Sequence, residues 1–198
     1  HLISKSSQIM PEFPISVARR FGSILKERGI TVHLGTEAIK SEDGVLILSD
    51  GNQLNLDETL FVTAAGAPSW PAKSGLKVDD NGFIKVKDTL QTLSKPNIFA
   101  AGDVAHVINH PRPKAGVFAV RQGRPLSDNL RRNLFNQPLK PFSPQKTFLS
   151  LISSGDKYAV ASKGIFSVSG KLIWLWKNWI DQRFIKKFND LPKMKEET

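Results

Sequence analysis

The chain has 198 residues, no cysteine, a formal charge of +10, and 40% hydrophobic and 23% charged residues. This length holds one large domain or two small ones around a buried core, and the composition is that of a globular chain. The lack of cysteine removes disulfides, thiolate metal sites and thiol nucleophiles and fits a reducing, cytoplasmic setting, while no apolar run approaches the ~20 residues of a bilayer-spanning helix.

The chain opens HLISKSS, without Met and within what reads as a strand, so a piece of a longer protein is expected; it shows no signal-peptide pattern. From Pro14 to Arg28, Val17, Phe21, Ile24 and Leu25 recur at a helical period, with Pro14 in the first turn and Gly29 as the stop. Ile30–Leu34 reads as a strand ended by Gly35. Val45–Leu48 and the segment around Leu54 form a hairpin through Asp50-Gly51. Leu60–Ala65 is continuously apolar, as for a strand covered on both faces, and Pro68 and Pro71 end it. Short strands are expected at Gly82–Val86 and Ile98–Ala101. A helix follows over Val117–Asn133, with Pro125 as its candidate break, then a hairpin of Phe148–Ile152 and Tyr158–Ala161 through Ser154-Gly155-Asp156, and a last helix over Lys171–Phe188. The alternation argues an α/β class.

Charge is unevenly placed. Residues 1–104 carry 11 basic against 12 acidic side chains, and residues 105–198 carry 17 against 6. The basic half points towards an anionic partner or a solvated basic surface, which charge alone does not separate. The four histidines lack zinc spacing; His106 and His110, four apart and followed by Pro111 and Pro113, are expected in a loop.

The sharpest chemistry lies in TLSKPNIFAAGDVA, residues 92–105. A buried strand over Ile98–Ala101 delivers Asp103 at its carboxyl end, where ligands sit in open parallel sheets. Gly102 lets a ligand come close to the backbone, and an Asp carboxylate there accepts hydrogen bonds from sugar or ribityl hydroxyls. Composition leaves open that Asp103 only caps a following turn.

NIFAAGD resembles the second flavin-contacting motif of the pyridine nucleotide-disulfide oxidoreductase superfamily, flavoproteins with two dinucleotide-binding domains. The resemblance implies that Asp103, beside Gly102, binds the ribityl and pyrophosphate region of FAD. VTAAGAPSW, residues 62–70, is similar to the segment that closes the NAD(P)H domain, which implies that Ala65 and Gly66 flank the nicotinamide nucleotide. The helix at Pro14–Arg28 and the strand at Ile30–Leu34 resemble the closing half of that domain. PKAGVFAVRQG, residues 113–123, is similar to the helix start against the isoalloxazine ring in type II NADH dehydrogenases, which implies flavin contacts for Lys114, Ala115, Gly116, Val117, Ala119 and Val120. A helix start offers unpaired N–H groups and a positive dipole end to an electron-rich ring. Ala119, Gln122 and Gly123 match the family's Ala-x-Gln-x-Gly pattern loosely. Arg121 stands where those enzymes carry a quinone-site glutamine, leaving the acceptor unidentified. The tail WLWKNWIDQRFIKKF with LPKM is similar to that of the flavoprotein module fused ahead of selenide, water dikinase.

The resemblance therefore implies the C-terminal portion of a Rossmann-like flavoprotein with an α+β C-terminal domain: residues 1–76 closing the NAD(P)H domain, 77–108 returning to the FAD domain, and 109–198 forming the C-terminal domain. Its activity is passage of a hydride from NAD(P)H to FAD and of electrons onward; no side chain reads as acid, base or nucleophile. The chain contains no G-x-G-x-x-G, so as given it is expected to bind FAD or NAD(P)H weakly. The first strand ends in Ser4, Lys5 and Ser6 rather than in an acidic residue, which predicts NADPH at least as good as NADH.

In the last helix Leu172, Leu175, Trp176, Trp179, Ile180, Phe184 and Phe188 share a helical period, with Lys177, Asp181, Lys186 and Lys187 mostly opposite. Such a stripe serves as core or dimer surface, or lies at a membrane interface. The partners implied are the nicotinamide nucleotide, a fused kinase domain or a second copy, and peripheral contact with the inner membrane. The alternative to an enzyme is an interaction module using the basic half on a membrane or partner domain. Nucleic acid is not expected, since no recognition motif accompanies the charge.

Overall fold

The computed structural model describes residues 1–62 and 65–190. In chain order the elements are β1 (Leu2–Ser4), α1 (Ile15–Glu27), β2 (Val32–Leu34), β3 (Ala38–Glu42), β4 (Val45–Leu48), β5 (Gln53–Asn55), α2 (Trp70–Lys73), β6 (Ile84–Val86), a 3-10 turn (Gly102–Val104), β7 (Ala105–Val107), α3 (Gly116–Leu134), β8 (Ser150–Gly155), β9 (Tyr158–Lys163), β10 (Phe166–Gly170) and α4 (Lys171–Asn189). The fold is α/β, and the chain divides into two compact units, 1–60 with 147 onward, and 61–146.

In the first unit β1 and β2 pair in parallel, Leu2 opposite Val32, with α1 as the crossover between them. The apolar period of α1 buries Val17, Ala18 and Ile24; Pro14 precedes its first turn and Gly29, at φ +70°, ends it. Strands β3, β4 and β5 form an antiparallel meander in which Leu46 and Leu48 alternate inward. Strands β8, β9 and β10 form a second meander, with Ala159–Ser162 of the central strand buried. Its first turn is made by Asp156 and Lys157, at φ +49° and +54°, the left-handed pair that a two-residue hairpin turn requires. Arg28 reaches Asp156 at 2.8 Å, Ser16 reaches Ser167 at 2.7 Å, and Arg20 donates to the Tyr158 hydroxyl, which donates to Ser169 at 2.8 Å. These bonds tie α1 to the β8–β10 meander.

The second unit carries the residues that match the flavoprotein motifs. β6 and β7 pair in parallel, Ile84 opposite Ala105. Leu76, Ile84, Val86, Leu90, Ala100, Ala105 and Val107 form its core, with Phe99, Leu126 and Phe142 packed against it. Burying side chains of this size contributes about 1.5–3 kcal/mol each for the larger ones. That gain holds Leu90 at φ +65° although the left-handed region costs a branched residue about 1–2 kcal/mol.

Several sequence expectations are corrected. Leu60, Phe61 and Val62 form no strand and are 86%, 69% and 84% exposed; Thr63 and Ala64 of that expected strand lie outside the described residues. A strand needs a partner for its backbone groups, and none of the described residues supplies one there. Ile98–Ala101 makes a single antiparallel bridge, Phe99 to Gln91, instead of a parallel strand, so Asp103 does not stand at the carboxyl end of a paired strand. It lies in the 3-10 turn leading into the amino end of β7. His106 is not in a loop but in β7, its register set by Lys85 of β6. The fully exposed β3 carries no apolar alternation and was invisible to pattern reading. Pro125 does not interrupt α3, because buried residues on both sides of it, Phe118, Gln122 and Asn129, fix the helix to the unit. No residue of α4 is fully buried, so its aromatic stripe is not core.

Candidate functional site

The site is built where the AAGD turn meets the start of α3. Gly102 adopts φ +74°, which glycine takes without strain. Its N–H donates to the Gln122 Oε1 at 2.6 Å, and Gln122 is buried. This bond fixes the turn against the second turn of the helix, with Ala119 beside Gly102: a β-carbon built on Gly102 would lie 3.7 Å from that of Ala119. Gln122 was missed as a site residue. Its signal was present, since Phe118, Gln122, Leu126 and Asn129 recur at helical spacing and place a polar amide on the inward face.

Ala115, extended, precedes α3, and no side chain caps the helix. Helix-start N–H groups without a side-chain cap are the donors available to an electron-rich group. Asp103 is exposed inside the 3-10 turn, whose N-cap position is Ala101 rather than Asp103. Among the other expected flavin contacts, Gly116 and Val120 are exposed, while Lys114, Ala115, Val117 and Ala119 are half-buried. Ala65 and Gly66 lie exposed in irregular chain of the same unit.

Gly102, Asp103, His106, His110, Arg112 and Lys114 line one cleft beside α3. The Lys114 ammonium donates to the Ala105 carbonyl at 2.7 Å and stands 4.0 Å from the centre of the Phe83 ring. Burial lowers its pKa below 10.5, opposed by the charges of Asp79 and Asp103. His106 Nδ1 lies 2.8 Å from Asp79 Oδ2, and Asp79 Oδ1 accepts the N–H groups of Asn81 at 3.0 Å and Phe83 at 2.9 Å. Arg112 donates to the carbonyls of Gln145 at 3.1 Å and Pro111 at 2.8 Å. No three His, Asp or Glu side chains converge as a metal site among the described residues.

In the other unit, Ile9, Ile15, Ala18, Gly22, Val32 and Leu34 line an apolar hollow of about 480 Å³ at α1 and β2. Lys5, directly after the end of β1, pairs with Glu37, whose hydrogen bond and charge raise the lysine pKa above 10.5.

The family model for pyridine nucleotide-disulphide oxidoreductases matches residues 1–123, from β1 through the Gly102–Gln122 contact. The chain belongs to this family, whose members use FAD and NAD(P)H. It is 31% identical over 150 residues to a type II NADH:quinone oxidoreductase of Haemophilus influenzae, covering 71% of this chain and 33% of that protein. It is 32% identical over 132 residues to a dihydrolipoyl dehydrogenase of Thermus scotoductus, covering 60% of this chain and 28% of that protein. The chain thus spans about a third of the length of these relatives. Its fold is that of the sulfide:quinone oxidoreductase of Aquifex aeolicus, with a TM-score of 0.75 at 18% identity over 93% of this chain and 48% of that one.

The residues present fit a flavin. Gly102 holds a backbone conformation that bars an unstrained side chain, the exposed Asp103 carboxylate follows it, and α3 begins without a side-chain cap.

Proposed function

We propose that the protein is part of an FAD-dependent NAD(P)H oxidoreductase that passes a hydride from the reduced nicotinamide to FAD and electrons onward to a separate acceptor. The observation that carries this is the Gly102–Gln122 hydrogen bond, which joins the AAGD turn to the start of α3 inside the stretch that matches the family. FAD, when bound, supplies the hydride and electron chemistry. The chain's own groups bind and orient. Asp103 accepts from ribityl hydroxyls, Gly102 admits close approach, and Lys114, Ala115, Gly116, Val117, Ala119 and Val120 line the ring's side. Ala65 and Gly66 flank the nicotinamide nucleotide. In this assignment residues 1–76 close the NAD(P)H domain, 77–108 return the chain to the FAD domain, and 109–198 form the C-terminal domain.

The acceptor is left to experiment. Two similar proteins are named for quinones, but Arg121, exposed on α3, replaces the glutamine expected at a quinone site. Nucleotide choice lies between Lys5, which suits a 2′-phosphate, and its ion-pair partner Glu37, which suits a free 2′-hydroxyl. The full-length protein should purify yellow, and anaerobic NADH or NADPH should bleach its flavin band within one turnover; a colourless protein that neither nucleotide alters refutes the proposal.

The interaction reading has one observation of its own. Trp176, Trp179, Phe184 and Phe188 of α4 are 44%, 56%, 43% and 58% exposed, beside Arg183, Lys186 and Lys187. A surface of this kind suits a cytoplasmic protein peripheral to the inner membrane, a fused kinase domain or a second copy. No helix among the described residues is long and apolar enough to cross a membrane. Flotation with anionic vesicles separates membrane contact from the protein partners.

A further inference from the structure

The cleft beside α3 is lined by four side chains of basic type, His106, His110, Arg112 and Lys114. Arg112 is held by two backbone carbonyls, which accept from its Nε and Nη1 without compensating its charge. Lys114 is held in the same way by Ala105, and its ammonium sits over Phe83 in a partly desolvated place. Burial disfavours the charged form of a lysine so placed, and the charge of a nearby carboxylate opposes that effect. The carboxylates whose charge reaches it are Asp79 and Asp103.

These two differ in one respect that decides between them. Asp103 is exposed. Asp79 is immobilised: one oxygen takes two backbone N–H groups of its own turn, the other meets His106, and its side chain is only 13% exposed. Its position is set before any ligand arrives. The turn that fixes it, residues 79–83, also supplies Phe83, the ring under Lys114. Asp79, Phe83, His106 and Lys114 are thus one unit, with β6 and β7 holding the two segments in register.

We propose that Asp79 is a positioning residue for the flavin-side cleft: its carboxylate seats the His106 ring and supplies the counter-charge for the Lys114 ammonium. The inference rests on the flavoprotein reading for what the cleft faces, but not for the coupling itself. A fixed ammonium beside α3 adds a positive charge to the positive end of the helix, which favours an electron-rich ligand group there. Asp79 touches neither ligand nor reacting atom and acts through Lys114.

The full-length protein is labelled competitively with acetic anhydride from pH 7 to 11, and the Lys114 peptide is quantified by mass spectrometry. Asp79→Asn keeps an oxygen for the Asn81 and Phe83 N–H groups but removes the charge. Lys114 should then lose its proton at lower pH, and its neutral-pH labelling should rise on the order of tenfold. His106→Gln should leave Lys114 labelling unchanged, since the carboxylate remains. Unchanged Lys114 labelling in folded Asp79→Asn overturns the inference whatever the flavin does. A wild-type protein that binds no flavin, with the labelling change intact, overturns the oxidoreductase reading alone. If Asp79→Asn does not fold, Asp79→Glu keeps the charge and must label like wild type; a tenfold rise there also refutes the coupling.

Discussion

Asn129 offers a sharp test of what fastens α3 to the unit that carries the site. It is 1% exposed. Its amide nitrogen donates to the Thr89 carbonyl at 2.9 Å and the Lys140 carbonyl at 2.8 Å, while its amide oxygen accepts from the Lys140 N–H at 2.9 Å. One side chain therefore clamps the helix to two separate loops. Asn129→Leu fills a similar volume, so little cavity penalty arises, but it strands two carbonyls and one N–H. At the low end of the cost of an unsatisfied buried group, about 1 kcal/mol each, the loss is ~3 kcal/mol. In a chain of 198 residues this corresponds to a fall in Tm of roughly 6–12 °C. Urea unfolding followed by far-UV circular dichroism measures it, and hydrogen exchange should localise the loss to α3 and to residues 138–141. A loss below ~1 kcal/mol, with exchange in α3 unchanged, would mean that water replaces the amide and that the clamp contributes little.

Three further outcomes are expected. Gly102→Ala forces a β-carbon onto a residue at φ +74°, at a strain of about 1–2 kcal/mol; flavin retention on gel filtration of the full-length protein should fall, and unaltered retention would remove Gly102 from the site. Gln122→Leu leaves the Gly102 N–H without its acceptor, so stability should drop by about 1–3 kcal/mol and flavin affinity with it, as read by fluorescence titration; a variant as stable as wild type would show that the turn does not depend on this bond. Burial lowers the Lys114 pKa in the folded state below the unfolded 10.5. The unfolded chain therefore holds more of that proton between the lowered value and 10.5, and the wild type should gain stability over Lys114→Met as pH rises through that window. Urea midpoints compared across the window check the sign, and a wild type that loses stability relative to Lys114→Met as pH rises refutes it.

Much of the fold could be read before any coordinates, for local reasons. The period of Val17, Phe21, Ile24 and Leu25 and the stop at Gly29 mark α1, and Asp50-Gly51 marks a turn that joins β4 to β5. These features depend on neighbours a few residues away. Leu60, Phe61 and Val62 of one expected strand, and Ile98–Ala101, form no paired strand for the opposite reason, since an apolar run becomes a strand only when another chain segment meets its backbone groups.

The AAGD stretch, the glycine in it and the helix after it belong to the sequence by itself, because a family motif and a left-handed glycine are local properties. Tertiary structure alone decided what surrounds them. Gln122 meets Gly102 across 20 residues of chain, and Asp79 meets His106 only because β6 and β7 lie side by side in parallel. No pattern of spacing reports such pairs, since their distance is set by how the core of Leu76, Ile84, Val86, Leu90 and Val107 packs rather than by separation along the chain.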